Sequence, residues 1–170
     1  MHLTLGSCTL RHWEPADLDS LVRNANNRAV SCHMRDRFPS PYTPADGERF
    51  LSMCMHMSPR TFLAIVVDNQ AAGGIGIHLQ EDVERVSAEL GYWLGEPFWG
   101  RGIATSAVKG ITEWAFASFP LTRLYAVPFA TNPASARVLE KSGYTLEGRM
   151  RRSAIKDGRI TDQLLYSCVR

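Results

Sequence analysis

Cysteine is scarce and scattered: Cys8, Cys32, Cys54 and Cys168 are the only four in 170 residues, and none forms a C-x-x-C pair. A disulfide framework is therefore excluded, and Cys32-His33 and Cys54-Met55-His56 match no common zinc spacing, so they read as buried thiols and ordinary histidines with no metal expected. No apolar run is long enough to cross a membrane and no secretory leader is evident, which leads us to expect a cytoplasmic chain that does not bind membranes. A dominant charge is missing as well. The 19 basic and 17 acidic residues are interspersed and sum to a net charge of +2, an unpromising balance for a nucleic-acid partner that needs a broad basic face. The short run Arg149, Arg151, Arg152 reads either as a solvated stretch or as a small patch for an anionic partner. Disordered composition, internal repeats and linkers are also lacking, so residues 1–170 are expected to form one domain with a substantial core.

What is present is concentrated between Glu89 and Ala117, where an apolar strand runs through E-P-F-W-G-R-G into an amphipathic helix. Gly100 and Gly102 lack a Cβ, so the turn can bring backbone N–H groups close to an anion, and the helix behind adds unpaired donors and a positive dipole end. The arrangement points to a pyrophosphate-bearing ligand.

Around this segment the pattern alternates. Residues 8–12 read as a first strand, and Glu14-Pro15-Ala16-Asp17 as a helix start followed by Leu18, Leu21 and Val22. Thr43-Pro44-Ala45-Asp46 repeats that signature before a helix whose stripe of Phe50, Leu51, Met53, Cys54 and Met57 is expected to face the core. Strands follow at 61–68 and 71–79 as a hairpin and at 86–94. A helix at 101–117, a strand at 122–128, a helix at 134–142 and strands at 144–150 and 163–169 complete the chain. Asp157-Gly158 between Ile155 and Ile160 signals a hairpin joining the last two strands. The pattern predicts an α+β or α/β domain with a mixed central sheet.

Other phosphate loops fit poorly. A P-loop needs a G-K-[ST] ending and this turn reads G-R-G-I-A-T. A dinucleotide fold wants an acid at the end of the next strand, and Leu124-Tyr125-Ala126-Val127-Pro128-Phe129 offers none. Gly74-Ile75-Gly76 lies inside a strand with no helix after it, where a bulge or close packing explains it better. A pantetheine-type ligand survives.

At this point W-G-R-G-I-A-T resembles the acetyl-CoA turn of the GNAT N-acetyltransferases, and A-E-L-G-Y-W-L-G resembles their fourth strand. Asn132 to Gly148, N-P-A-S-A-R-V-L-E-K-S-G-Y-T-L-E-G, is similar to the second signature of the RimJ/RimL type, the branch of ribosomal-protein alanine and serine N-acetyltransferases. The resemblance covers nearly the whole chain. It implies an α+β fold, an α/β three-layer sandwich whose mixed, mostly antiparallel sheet of about seven strands has helices on both faces, and acetyl transfer from acetyl-CoA to a primary amine, either a protein N-terminus or a small molecule. A non-catalytic module that binds or senses CoA on the same fold is the alternative, and a homodimer stays open.

The resemblance also implies roles. Tyr92, Trp93 and Leu94 would pair their backbone with the pantetheine arm as an added strand would. Arg101, Gly102, Ile103, Ala104 and Thr105 would donate N–H bonds to the pyrophosphate, with Gly100 permitting the approach. Trp99 stands where many relatives carry Gln or Arg. Asn132 would hold the pantetheine or cap its helix, and Arg137 would reach a CoA phosphate or face solvent. Many relatives use a Tyr seven residues after the motif Asn as the acid, but that position is Leu139 here, so Ser135 becomes the candidate proton donor to the departing thiolate, unless it serves only as a first-turn hydroxyl of its helix, and the Leu94 N–H the oxyanion donor. Glu89 is the candidate base, on the strand face shared with Gly91 and Trp93, unless it pairs with Arg85 or Arg123 or the amine loses its proton through ordered water with no dedicated base. Arg152, Ser153 and Ala154 occupy a stretch where relatives sometimes carry an acid, which leaves ribosomal proteins unassigned as substrates. Residues 30–42, with Met34, Arg35, Asp36, Arg37, Phe38 and Tyr42, would shape the acceptor side.

Overall fold

The chain is described over residues 1–170 by a computed structural model, in the order β1 (His2–Leu5), β2 (Cys8–His12), α1 (Leu18–Ala25), α2 (Arg28–Ser31), α3 (Pro44–His56), β3 (Phe62–Val67), β4 (Gln70–Leu79), β5 (Ser87–Leu94), α4 (Ile103–Ser118), β6 (Arg123–Ala126), α5 (Pro133–Lys141), β7 (Thr145–Lys156) and β8 (Arg159–Val169). One eight-stranded sheet runs β1-β2-β3-β4-β5-β6-β8-β7. Every neighbouring pair is antiparallel except β5 with β6.

Alternation along the strands divides two cores. Leu63 and Ile65 of β3 and Ala88 and Leu90 of β5 pack with Ile103, Val108 and Ile111 of α4 and Leu139 of α5. Ala64 of β3 and Trp93 of β5 face the other way, against Leu21 of α1 and Leu51 and Cys54 of α3. The fold is thus the expected mixed sheet between helical layers.

The caps explain where the helices begin. Thr43 and Asp46 form a reciprocal capping box and Pro44 opens α3, so its orphan N-terminal donors are satisfied locally. Asn132 caps α5 by accepting from the Ser135 N–H at 3.1 Å, again with Pro at the first position.

Beyond shifted element ends and the short α2, three details differ from the sequence reading. An extra edge strand, β1, pairs with β2 across Gly6-Ser7 and raises the strand count to eight. β7 runs on to Lys156, past a register shift between Met150 and Ala154, so the Arg151-Arg152 stretch lies in a bulge of a long arm. The arm closes at Asp157-Gly158, both at positive φ, as that dipeptide suggests. The Met-bearing stripe of α3 is not all core: Leu51 and Cys54 are buried, whereas Met53 is 46% exposed. The helix turns Met53 toward a cleft, not onto the sheet.

Glu147 of β7 reaches across β8 to Arg123 of β6, accepting at 2.6 Å from the Arg123 guanidinium and at 2.6 Å from Ser167 of β8. The guanidinium, then the Ser167 hydroxyl, hold its carboxyl down at about 2. A carboxylate whose folded pKa is depressed adds stability above its unfolded value of about 4.3, and that stability is lost as pH falls through the folded value. Glu147→Gln should therefore flatten the acid limb of the stability curve between about pH 4.3 and about pH 2, measured by urea denaturation as a function of pH, while wild type loses stability across that window.

Candidate active site

β5 and β6 part company early. Their parallel pairing stops at Glu89 opposite Tyr125, although β5 continues to Leu94. β6 stays with β8 instead: the Leu164 N–H donates to the Pro128 carbonyl and the Ala130 N–H to that of Asp162. On its other side β5 remains paired with β4. The Gly95 N–H donates to the Ala72 carbonyl at 2.8 Å, and the Trp93 carbonyl lies against Gly73. Strand alternation then turns the backbone groups of Tyr92 and Leu94 into the gap. This corrects the expectation for Trp93. Its backbone belongs to the β4 ladder and its side chain to the α1–α3 core, with Phe38 edge-on at 5.6 Å. The Leu94 carbonyl is also taken, by the Trp99 indole N–H at 2.7 Å. What stays open is the Leu94 N–H and the Tyr92 backbone.

Beyond Leu94 the chain makes the turn read from the sequence. Gly100 and Gly102 sit at φ 74° and 75°, a region only glycine enters readily. Gly102 caps α4 without a side-chain bond, and the first backbone bond of the helix is the Ser106 N–H to the Gly102 carbonyl. The six N–H groups from Gly100 to Thr105 therefore have no partner within the protein. Six orphan donors at a helix N-terminus with no acid in its first turn could take an anion. Arg137 and Lys141, one turn apart on α5, line the same cleft and make no ion pair. The Arg101 guanidinium packs over the Phe98 ring at 5.8 Å.

α5 carries the candidate hydroxyl, Ser135. Ser135 Oγ lies 2.7 Å from the Tyr92 hydroxyl, which is also 3.2 Å from the Ser135 carbonyl. Burial pushes the Tyr92 phenol up to about 12, so it keeps its proton at neutral pH. Leu139, at the position where a Tyr was sought, is fully buried among apolar neighbours. Asn132 Oδ1 serves as the helix cap, while its Nδ2 has no hydrogen-bond partner.

The opposite face of the gap has a different character. Glu89 is held by Arg35, not by Arg85 or Arg123. Its cross-strand neighbour is His78 of β4, whose ring packs edge-on to Phe62 at 4.6 Å with Nε2 3.4 Å from the Arg37 guanidinium. Burial, and then Arg37, lower the His78 pKa and keep the imidazole neutral at neutral pH. One cavity of ≈ 930 Å³ joins both sides, from Gly100 and Thr105 through Tyr92 and Ser135 to Phe38, Phe50 and Met53. Its size suits a long cosubstrate together with a second molecule.

The family description "Acetyltransferase (GNAT) domain" matches residues 8–145. This chain belongs to the GNAT acetyltransferases. The domain is 27% identical over 168 residues to the N-acetyltransferase p20 of Bacillus licheniformis, whose function is uncharacterized, covering 95% of this chain and 92% of the relative. The Bacillus subtilis protein YdaF is 31% identical over 106 residues, 62% of this chain and 57% of its own length. The Escherichia coli spermidine N(1)-acetyltransferase is 26% identical over 150 residues, 85% of this chain and 76% of the relative. Among solved structures, the ribosomal L7/L12 α-N-protein acetyltransferase RimL in complex with coenzyme A superposes with a TM-score of 0.86 at 21% identity, over 99% of this chain and 98% of that one. The acetyltransferase MccE in complex with acetyl-CoA and AMP gives 0.82 at 24%, over 97% and 93%. At those identities the two structures support the fold of the GNAT domain. Coenzyme A is bound in the RimL structure and acetyl-CoA in the MccE structure.

Sequence reasoning missed three features of the candidate site. The side-chain hydroxyl of Tyr92, the His78 imidazole and the Arg35 grip on Glu89 all depend on contacts between distant segments. Only the alternation that puts His78 and Glu89 on one sheet face left a signal in the sequence. For the turn, Gly102→Val forces a β-branched residue into left-handed backbone at a cost of about 1–2 kcal/mol and shifts the amides beside it. CoA affinity measured by calorimetry should fall about tenfold. An unchanged affinity would mean that the turn does not hold the ligand.

Proposed function

We propose that this domain transfers an acetyl group from acetyl-CoA to a primary amine by direct attack of the amine on the thioester. The observation that carries the reading is the pairing of six unpartnered amides at α4 with a catalytic-type hydroxyl pair, Ser135 and Tyr92, across one continuous cavity.

Acetyl-CoA supplies the activated acetyl group, and the residues of this chain do the rest. The N–H groups of Gly100 to Thr105, with Arg137 and Lys141 nearby, would seat the phosphates. The free backbone of Tyr92 and Leu94 would pair with the pantetheine amides and the acetyl carbonyl, the Leu94 N–H being the donor available to the developing oxyanion. As the new C–N bond forms and the C–S bond breaks, the sulfur needs a proton and the amine must lose one. Because the Tyr92 phenol stays protonated, it can donate to Ser135 Oγ, which leaves the Ser135 hydrogen free to point at the sulfur. Tyr92 thus acts through Ser135 as a positioning residue. On the other face an incoming ammonium would displace Arg35 and give its first proton to Glu89, becoming the neutral amine that attacks, and the second proton, released as the C–N bond forms, would go to the neutral His78.

Protein N-termini and small amines are both acceptors for which relatives are named, and the acceptor class for this chain is taken up below. Ser135→Ala should lower kcat about 100-fold with little change in the KM for acetyl-CoA, in line with the loss of a positioned acid. Tyr92→Phe should lower kcat less, and the double variant should be no slower than Ser135→Ala alone if the phenol works through the serine. Thiol release from acetyl-CoA with a panel of amines reads all three. An unchanged kcat in Ser135→Ala would remove the residue from the mechanism, and CoA binding without turnover on any amine would support a sensing module.

A further inference from the structure

We propose that the acceptor taken by this domain is a single primary amine on an uncharged aromatic or branched apolar body, seated in a slot over Gly91. This rests on the acetyl-transfer reading above.

The slot is built from absent side chains. Gly91 of β5 is exposed, lines the cavity, and a Cβ there would meet nothing within 4 Å. It pairs with Gly76 of β4, on the sheet face shared by Glu89 and Trp93. At Gly76 a Cβ would collide with the Phe62 ring, and at Gly74 it would come 2.8 Å from the Trp93 indole nitrogen. These two glycines therefore let both aromatic rings lie down on the sheet. The floor over Gly91 is bounded by Phe62 across the strand, by Trp93 along it, and by Glu89 and His78 at its polar end. Phe38 backs Trp93 at 5.6 Å, and Met53 from α3 lines the same cleft while 46% exposed. An exposed methionine facing a cleft costs solvation that a bound apolar group would recover, and its flexible thioether adapts to such a group.

Charge decides against the other acceptor classes. Two carboxylates line the whole cavity, Glu89 and Asp46. Each is already matched, Glu89 by Arg35 and Asp46 by Arg49. Arg37 at the same mouth has no carboxylate partner, its only contact being the His78 ring. A polyamine would meet more guanidinium than carboxylate and find no row of acids for its further ammonium groups. A single amine needs only the polar end of the slot, where Glu89 and His78 sit beside the point at which β5 and β6 separate.

Calorimetric titration of L-phenylalanine amide and of spermidine into the full chain saturated with CoA tests the slot, with acetyl transfer to the same amines measured alongside. L-phenylalanine amide should bind, and its kcat/KM should exceed that of spermidine by about tenfold or more. Gly91→Leu should weaken phenylalanine amide binding by about tenfold or more while leaving the affinity for CoA unchanged. Met53→Glu, at a half-exposed helix position, should shift the preference toward spermidine. Tighter binding of spermidine than of phenylalanine amide, no detectable phenylalanine amide binding, or an indifferent Gly91→Leu would each overturn the proposal. Phenylalanine amide that binds in the slot but receives no acetyl group would leave the slot standing and defeat the acetyl-transfer reading. Acetylation of spermidine with phenylalanine amide untouched would do the reverse.

Discussion

The early divergence of β5 from β6 is the constraint on which the site depends. A buried strand edge with unpaired N–H and C=O groups is costly unless something bonds to it. Here β6 does not close the gap: past Tyr125 it leaves β5 and stays with β8 as far as Pro128 and beyond. On the other edge of β5 the ladder to β4 holds Trp93 and Gly95, so only alternate residues are left to face outward. The result is a short, rigid backbone edge aimed into a cavity. Trp99 then closes the one carbonyl that would otherwise stay open at its end.

That opening connects two surfaces of opposite character. The α4–α5 side supplies orphan amides, two unpaired cations and a hydroxyl pair, all suited to a phosphate-bearing thioester. The α1–α3 side supplies aromatic rings laid on glycines, with both carboxylates matched by arginines, Arg37 unmatched and a neutral histidine. Because the thioester would lie in the gap itself, neither reactant has to pass through the sheet. Glycine does different work at each end: positive φ at Gly100 and Gly102, and removal of a colliding Cβ at Gly74 and Gly76.

Much of this was legible locally. The Gly100–Gly102 turn, the Asn132 cap and the Asp157-Gly158 hairpin are short-range devices, and each forms where its residues predict. β1 was passed over because four residues around a Gly6-Ser7 turn carry little periodicity; its alternation of Leu3 and Leu5 was the available signal. Met53 misled because a helical stripe says which residues share a face without saying whether a sheet or a cleft lies opposite. The partners of Glu89 and Ser135 lie 54 and 43 residues away in the chain, and tertiary packing alone decides such pairings. Ser135, which could have bonded its own helix, instead meets a phenol delivered from the strand.

Amide hydrogen exchange with and without CoA tests the central claim most directly, because that claim concerns particular backbone N–H groups. The account predicts that CoA slows exchange at Leu94, Tyr92 and Gly100 to Thr105 while Trp93, already bonded to β4, changes little. Protection spread over other strands, with those amides unaffected, would contradict it.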